Sequence, residues 1–166
     1  MFGTNKEYNS TRKILMGLEK NALVDALMTL AGESRSAYML VLSLVSTTRE
    51  KVALFKQNIH AITHEDLSGE EILDTLTRSL GMLDPEIMDP KVGLQLMVLF
   101  YGTDSWALES TTELDFEFEM IYTDDGCKKF AEFAQRCPDP EYVTQVVEQL
   151  IAADGYGMRT KLSTLL

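Results

Sequence analysis

Apolar residues recur at spacings of three and four along nearly the whole chain, and this pattern limits the fold more than any other feature. From Lys20, the residues Leu23, Leu27 and Leu30 repeat with Val24 and Ala31 beside them. Residues three and four apart share one face of a 3.6-residue turn, so the stripe predicts an amphipathic helix ending near Gly32. Ser34 or Ser36 can cap a second helix carrying Tyr38, Leu42 and Val45 on a broader apolar surface, expected to lie buried between layers. Thr47 or Thr48 can cap a third, with Val52, Phe55 and Ile59 as its stripe. Ser68, Gly69, Glu70 and Glu71 spell a capping box, Ser-x-x-Glu, ahead of Ile72, Leu73, Leu76 and Leu80.

The stretch GMLDPEIMDP, residues 81–90, holds two Asp-Pro pairs, which disfavour helix before each proline. It reads as the connector between an N-terminal and a C-terminal half. A helix follows from about Lys91 to Tyr101, with Gly102 as its stop. ELDFEFEMIY is ambiguous: Leu114, Phe116, Phe118 and Met120 alternate with Glu113, Asp115, Glu117 and Glu119, which is a strand period. No second alternating segment exists to pair with it, and a lone strand is unstable. The helical reading places Leu114, Phe118, Ile121 and Tyr122 on one stripe and Phe116 with Met120 on another, both expected to be buried. Asp124 or Asp125 can start a further helix through Phe130 and Phe133. Asp139 and Pro140 can start one holding Val143, Val146, Val147 and Leu150, and a last helix runs from about Gly157. The class is therefore all-α, a single domain over residues 1–166 of roughly nine or ten short helices stacked as antiparallel pairs.

Near the end of the chain, AADGYGMRTKL sits between two helical stretches. Gly155 is expected to take the left-handed conformation that ends a helix, with Asp154 bonding the turn and Arg159 reaching back to it. A phosphate-cradling loop would want a preceding strand and a Lys or Ser/Thr at fixed offset, which are missing here. An aspartate at a corner with an arginine on the next helix resembles HEAT-type helical repeats. The segment from about Leu94 to Leu162 is similar to one in uncharacterised bacterial proteins with helical-repeat character. In it the Thr103-Asp104-Ser105 turn precedes a helix, and the corner of Asp154, Gly155, Tyr156, Gly157 and Arg159 closes the segment. Residues 22–45 and 142–165 also superpose in pattern at an offset of 120, which suits helix-pair arrays. The resemblance implies a HEAT-like α-solenoid or an irregular helical bundle, and a fold more than an activity.

Charge narrows the partners. With 26 acidic and 15 basic residues the chain carries −11, which repels phosphate backbones and anionic membranes. The longest apolar runs fall short of the ~20 residues that span a bilayer. The N-terminus lacks a basic start, apolar block and cleavage site, so a cytoplasmic location is expected. Cys127 and Cys137, ten residues apart, lie too far from each other along a helix to pair.

Little of the sequence carries chemistry. His60 and His64, the only histidines, could offer two metal ligands from one helix face, but the motif has no third ligand, and the helix is expected to end near Ala61 or Ile62. No metal and no cofactor is expected. Ser105 lacks a nucleophile elbow. The remaining candidate is an acidic surface with an aromatic anchor, formed by Tyr101, Trp106, Glu113, Asp115, Glu117, Asp124 and Asp125; the alternative is that Trp106 belongs to the core beneath a solvated acidic helix. The expected function is a non-catalytic protein-interaction module, a helical-repeat scaffold or adaptor. An acidic inhibitor or immunity-type protein that blocks a basic partner is the second reading, and a metal-dependent hydrolase using His60 and His64 the third.

Overall fold

The computed structural model describes residues 5–165, and the side chains of residues 8–42 and 46–165. Every regular element among them is helical, as the periodicity predicts. The chain divides into two compact units, residues 1–45 and 46–166. The division falls after Val45, so the connector at 81–90 joins two helices within the second unit.

The first unit holds α1 (Asn5–Met16), α2 (Lys20–Glu33) and α3 (Arg35–Val45), with α2 and α3 packed together as a hairpin. Ser34 bridges them: its Oγ accepts from the Ala37 amide at 3.4 Å, and its own amide donates to the Leu30 carbonyl. The second helix was expected to be buried between layers. Instead, none of the described side chains of this unit is buried, and Tyr38 and Leu40 are exposed. Val45, the third member of the expected stripe, lies outside the described side chains.

The second unit holds the core. α4 (Thr48–His64) and α5 (Gly69–Met82) both open with complete capping boxes, Thr47 with Glu50 and Ser68 with Glu71. Each hydroxyl satisfies an orphan amide while the glutamate returns to the cap's own N–H. α4 runs to His64, past the expected end, because Thr63 bonds back to the Ile59 and His60 carbonyls and the Glu65 amide still reaches Ala61. Residues 83–89 form the connector. α6 (Pro90–Tyr101) follows, opened by the Asp89 carboxylate on the Val92 amide with proline in the first helical position.

α7 (Asp104–Ser110) is short and packs against α8 (Asp115–Met120). The alternating segment is helix, not strand. A new helix was expected to begin at Asp124 or Asp125. Instead the chain passes from α8 through a π-helical turn, Ile121–Gly126, straight into α9 (Cys127–Arg136), and neither aspartate acts as a cap. α10 (Pro140–Ala152) is opened by Asp139, whose carboxylate accepts from the Tyr142 amide and from Lys91 at 2.6 Å. The last helix was expected from about Gly157; the structure has a 3-10 helix, Thr160–Leu165.

The elements gather on α6, which packs against α4, α9, α10 and the π turn. Phe55, Leu76, Leu94, Met97, Phe100, Phe118, Phe130, Phe133, Val147 and Leu162 form one continuous apolar core. The close approach of α6 to α9 depends on Gly93. A Cβ there would lie 2.3 Å from the Phe133 ring, which is fully buried and has nowhere to go. Gly93→Ala should therefore cost about 1–3 kcal/mol of stability by overpacking, measured by urea denaturation, and an unchanged midpoint would contradict this packing.

Candidate functional site

Two arrangements stand out, one buried and one exposed. The buried one joins the ends of α6 and α10 to the start of α7. Arg159 donates from Nε to Asp104 Oδ2 at 3.0 Å, and its Nη2 lies 2.8 Å from the same oxygen in a buried ion pair. Its Nη2 also reaches the Tyr101 carbonyl at 2.8 Å, and Nη1 the Leu150 carbonyl at 3.3 Å. Both carbonyls are in last helical turns, where the α-helical ladder leaves acceptors without partners. Burial pushes the Asp104 carboxyl above the usual carboxylate range, against the downward pull of Arg159 and the Ser105 amide. The pair ties the start of α7 to the ends of α6 and α10.

The corner that leads to Arg159 differs from the sequence reading in two respects. Arg159 was expected to pair with Asp154. Asp154 instead spends its oxygens on the turn itself, accepting the Met158 and Arg159 amides at 3.1 Å each, and this leaves the guanidinium aimed inward at Asp104. Gly155 was expected to be left-handed, but that conformation belongs to Gly157, with φ of 78°, and Gly155 has no such constraint. Tyr156 is exposed and donates its hydroxyl to Glu109.

Beside this corner lies a pair of buried phenols. Tyr101, expected at a surface, is wholly enclosed. Its hydroxyl donates to the Tyr122 carbonyl at 3.0 Å, inside the π turn. Thr103 donates to the Phe100 carbonyl, so Tyr122 donates in turn to the Thr103 oxygen at 2.8 Å. Burial raises the pKa of both tyrosines and keeps them neutral. Gly126 makes room for this cluster: a Cβ there would sit 2.9 Å from the Phe100 ring and 3.1 Å from the Tyr101 hydroxyl.

The exposed arrangement is on α7, α8 and the π turn. Trp106 is 47% exposed, Phe116 70% and Met120 42%. Phe116 and Met120, expected to form a second buried stripe, stand in solvent because α8 buries only the side carrying Phe118 and leading into Ile121 and Tyr122. Glu113, Asp115, Glu117, Asp124 and Asp125 are all exposed. Asp124 pairs with Lys161, whereas among the described residues Glu113, Asp115, Glu117 and Asp125 pair with no cation. No Lys or Arg occurs anywhere in residues 92–127.

His60 and His64 share the last turn of α4, exposed, with parallel rings 3.9 Å apart. His64 Nδ1 meets the Thr63 hydroxyl and the His60 carbonyl. Among the described residues no group of three or more His, Cys, Asp or Glu side chains is placed to hold a metal ion. Cys127 and Cys137 are free thiols, half-buried. No described helix is long and apolar enough to cross a membrane. Among known proteins, no family model, no curated protein and no solved structure matches the chain.

Two outcomes test the buried corner. Gly157→Val should lower the melting temperature, since a β-branched side chain at positive φ costs about 1–2 kcal/mol, while Gly155→Val should change it far less; the reverse order would contradict the assignment. Arg159→Met should cost about 3–5 kcal/mol by leaving Asp104 buried without its cation, with Arg159→Lys in between because an ammonium cannot also serve both carbonyls. Chemical denaturation of the three proteins gives the ranking directly.

Proposed function

We propose that the second unit is a protein-binding module that takes a basic partner on the α7–α8 surface. The observation that carries this reading is the exposure of Trp106 and Phe116 within a 36-residue stretch that has no positive charge. Large aromatic side chains standing in water are an unfavourable arrangement for a free protein, and such side chains dominate binding energy once a partner covers them. The surrounding carboxylates add a long-range attraction that raises the association rate for a cationic surface and repels an anionic one. The inhibitor or immunity-type reading is a special case of the same chemistry, in which the basic partner is an enzyme. A hydrolytic reading draws on His60 and His64 alone, and no observation favours it.

Trp106 is the sole tryptophan and reports on its own surface. In the free protein its emission should be red-shifted and readily quenched by acrylamide. Titration with a lysine- and leucine-rich helical peptide should shift it to the blue, with affinity falling as salt rises. Trp106→Ala, followed by calorimetry, and Phe116→Ala should each weaken binding by about tenfold or more, on the order of 1.4 kcal/mol or above. A peptide that binds equally well to both variants, or a glutamate-rich analogue that binds as well as the lysine-rich one, would refute this surface.

A further inference from the structure

The Gly-Tyr-Gly stretch sets a tyrosine at the tip of the 154–160 corner, and the structure fastens that corner to α7 twice. Arg159 does so from inside, on Asp104. On the outside, Tyr156 donates its hydroxyl to Glu109, 47 positions away. Both side chains are exposed. A glutamate on a helix surface is ordinarily free to move among rotamers; here a phenol on a fixed corner holds one of its oxygens. The same bond raises the Tyr156 pKa, so the phenol keeps its proton and remains a donor.

Glu109 follows Trp106 by three residues on α7, and side chains at that spacing are neighbours on a helix surface, about 5–6 Å apart at Cβ. A held carboxylate therefore stands beside an indole that is itself half-exposed. Among the described residues Glu109 pairs with no cation. α7 contains no Lys or Arg, and the only one in the corner, Arg159, is buried on Asp104. An ionised carboxylate has about four lone-pair sites. The phenol occupies one, which leaves both oxygens able to accept a further donor.

The cationic group that suits both neighbours is a guanidinium. Its planar fork bonds a carboxylate through two parallel donors, its face stacks on an aromatic ring, and it is less strongly hydrated than an ammonium. A lysine would offer Glu109 a compact point charge and no flat face to Trp106. On the basis of the protein-binding reading of the α7–α8 surface, we propose that the basic partner is read there through an arginine side chain, which bonds Glu109 and stacks on Trp106. Tyr156 is the positioning residue that holds the carboxylate for it. Phe116 and Met120 on α8 give apolar contact that does not distinguish the two cations, so the preference for arginine belongs to the α7 end of the surface.

The test uses the full chain and two leucine-rich helical peptides of one sequence, with every cationic position lysine in the first and arginine in the second. Each is titrated at one fixed ionic strength while Trp106 emission is followed. The arginine peptide should bind the wild-type chain about three- to fivefold more tightly. Glu109→Gln should bring that ratio close to one, and Tyr156→Phe should reduce it, because the carboxylate is then no longer held. Equal affinity of the two peptides for the wild-type chain would overturn the proposal without any variant, and would leave the protein-binding reading standing. Binding of neither peptide would remove both. An arginine preference that survives Glu109→Gln would overturn the assignment to this carboxylate, and one that Tyr156→Phe leaves at the wild-type ratio would overturn the positioning role of the tyrosine.

Discussion

One guanidinium holds the C-terminal part of the second unit in place. Arg159 reaches a carboxylate at the start of α7 and carbonyls at the ends of α6 and α10. Helix ends cannot be buried with their last carbonyls unpaired, because each orphaned acceptor forfeits its hydrogen bonds to water without replacement. A planar cation with five donors in a fixed fork is suited to serve three such points at once, which a lysine is not. The corner at 154–160 exists to deliver that cation: Asp154 binds the backbone of the turn, Gly157 supplies the left-handed step, and the side chain of Arg159 is thereby directed inward.

The same fixed end of α6 explains the irregular helix next to it. Tyr101 is buried against the π turn and donates to a carbonyl inside it, and Gly126 is the residue that lets Phe100 and Tyr101 come this close. A π turn inside an otherwise α-helical segment shifts the residues on either side to a different angular register. Phe118, Ile121 and Tyr122 enter the core, and Phe116 and Met120 are left outside. The exposed aromatic surface is thus a consequence of how α8 is docked, and it coincides with the longest stretch of the chain that has no basic residue.

The two units divide the physical work. The second has a complete apolar core, capped helices and a buried polar corner, and it carries nearly all of the negative charge. The first is close to neutral, and its described side chains are all at least partly exposed. High net charge on one unit and exposed apolar surface on the other favour different kinds of contact, the first selective by sign and sensitive to salt, the second selective by shape and driven by removal of apolar area from water.

Local chemistry determined much of this by sequence alone. The capping box at Ser68, a threonine cap at 47 or 48, the Asp-Pro start of α10, the stop after Tyr101 and the all-helical class were legible, because a cap or a helical stripe is decided by residues within four positions of one another; that Thr47 closes a second box with Glu50 was not read. The stripe of Leu114, Phe118, Ile121 and Tyr122 was legible for the same reason. Partner choice over long sequence distance was not. Arg159 pairs with a residue 55 positions away, and the nearer Asp154 was the natural guess from sequence. Which of Gly155 and Gly157 turns left-handed, whether Asp124 starts a helix or continues one, and whether Tyr101 or Trp106 faces water all depend on how the ends of α6 and α10 meet. Sequence supplied the carboxylates, the aromatics and the cation; only tertiary packing decided which were buried together and which were left on the surface, because burial is a property of neighbours that the chain brings together from distant positions.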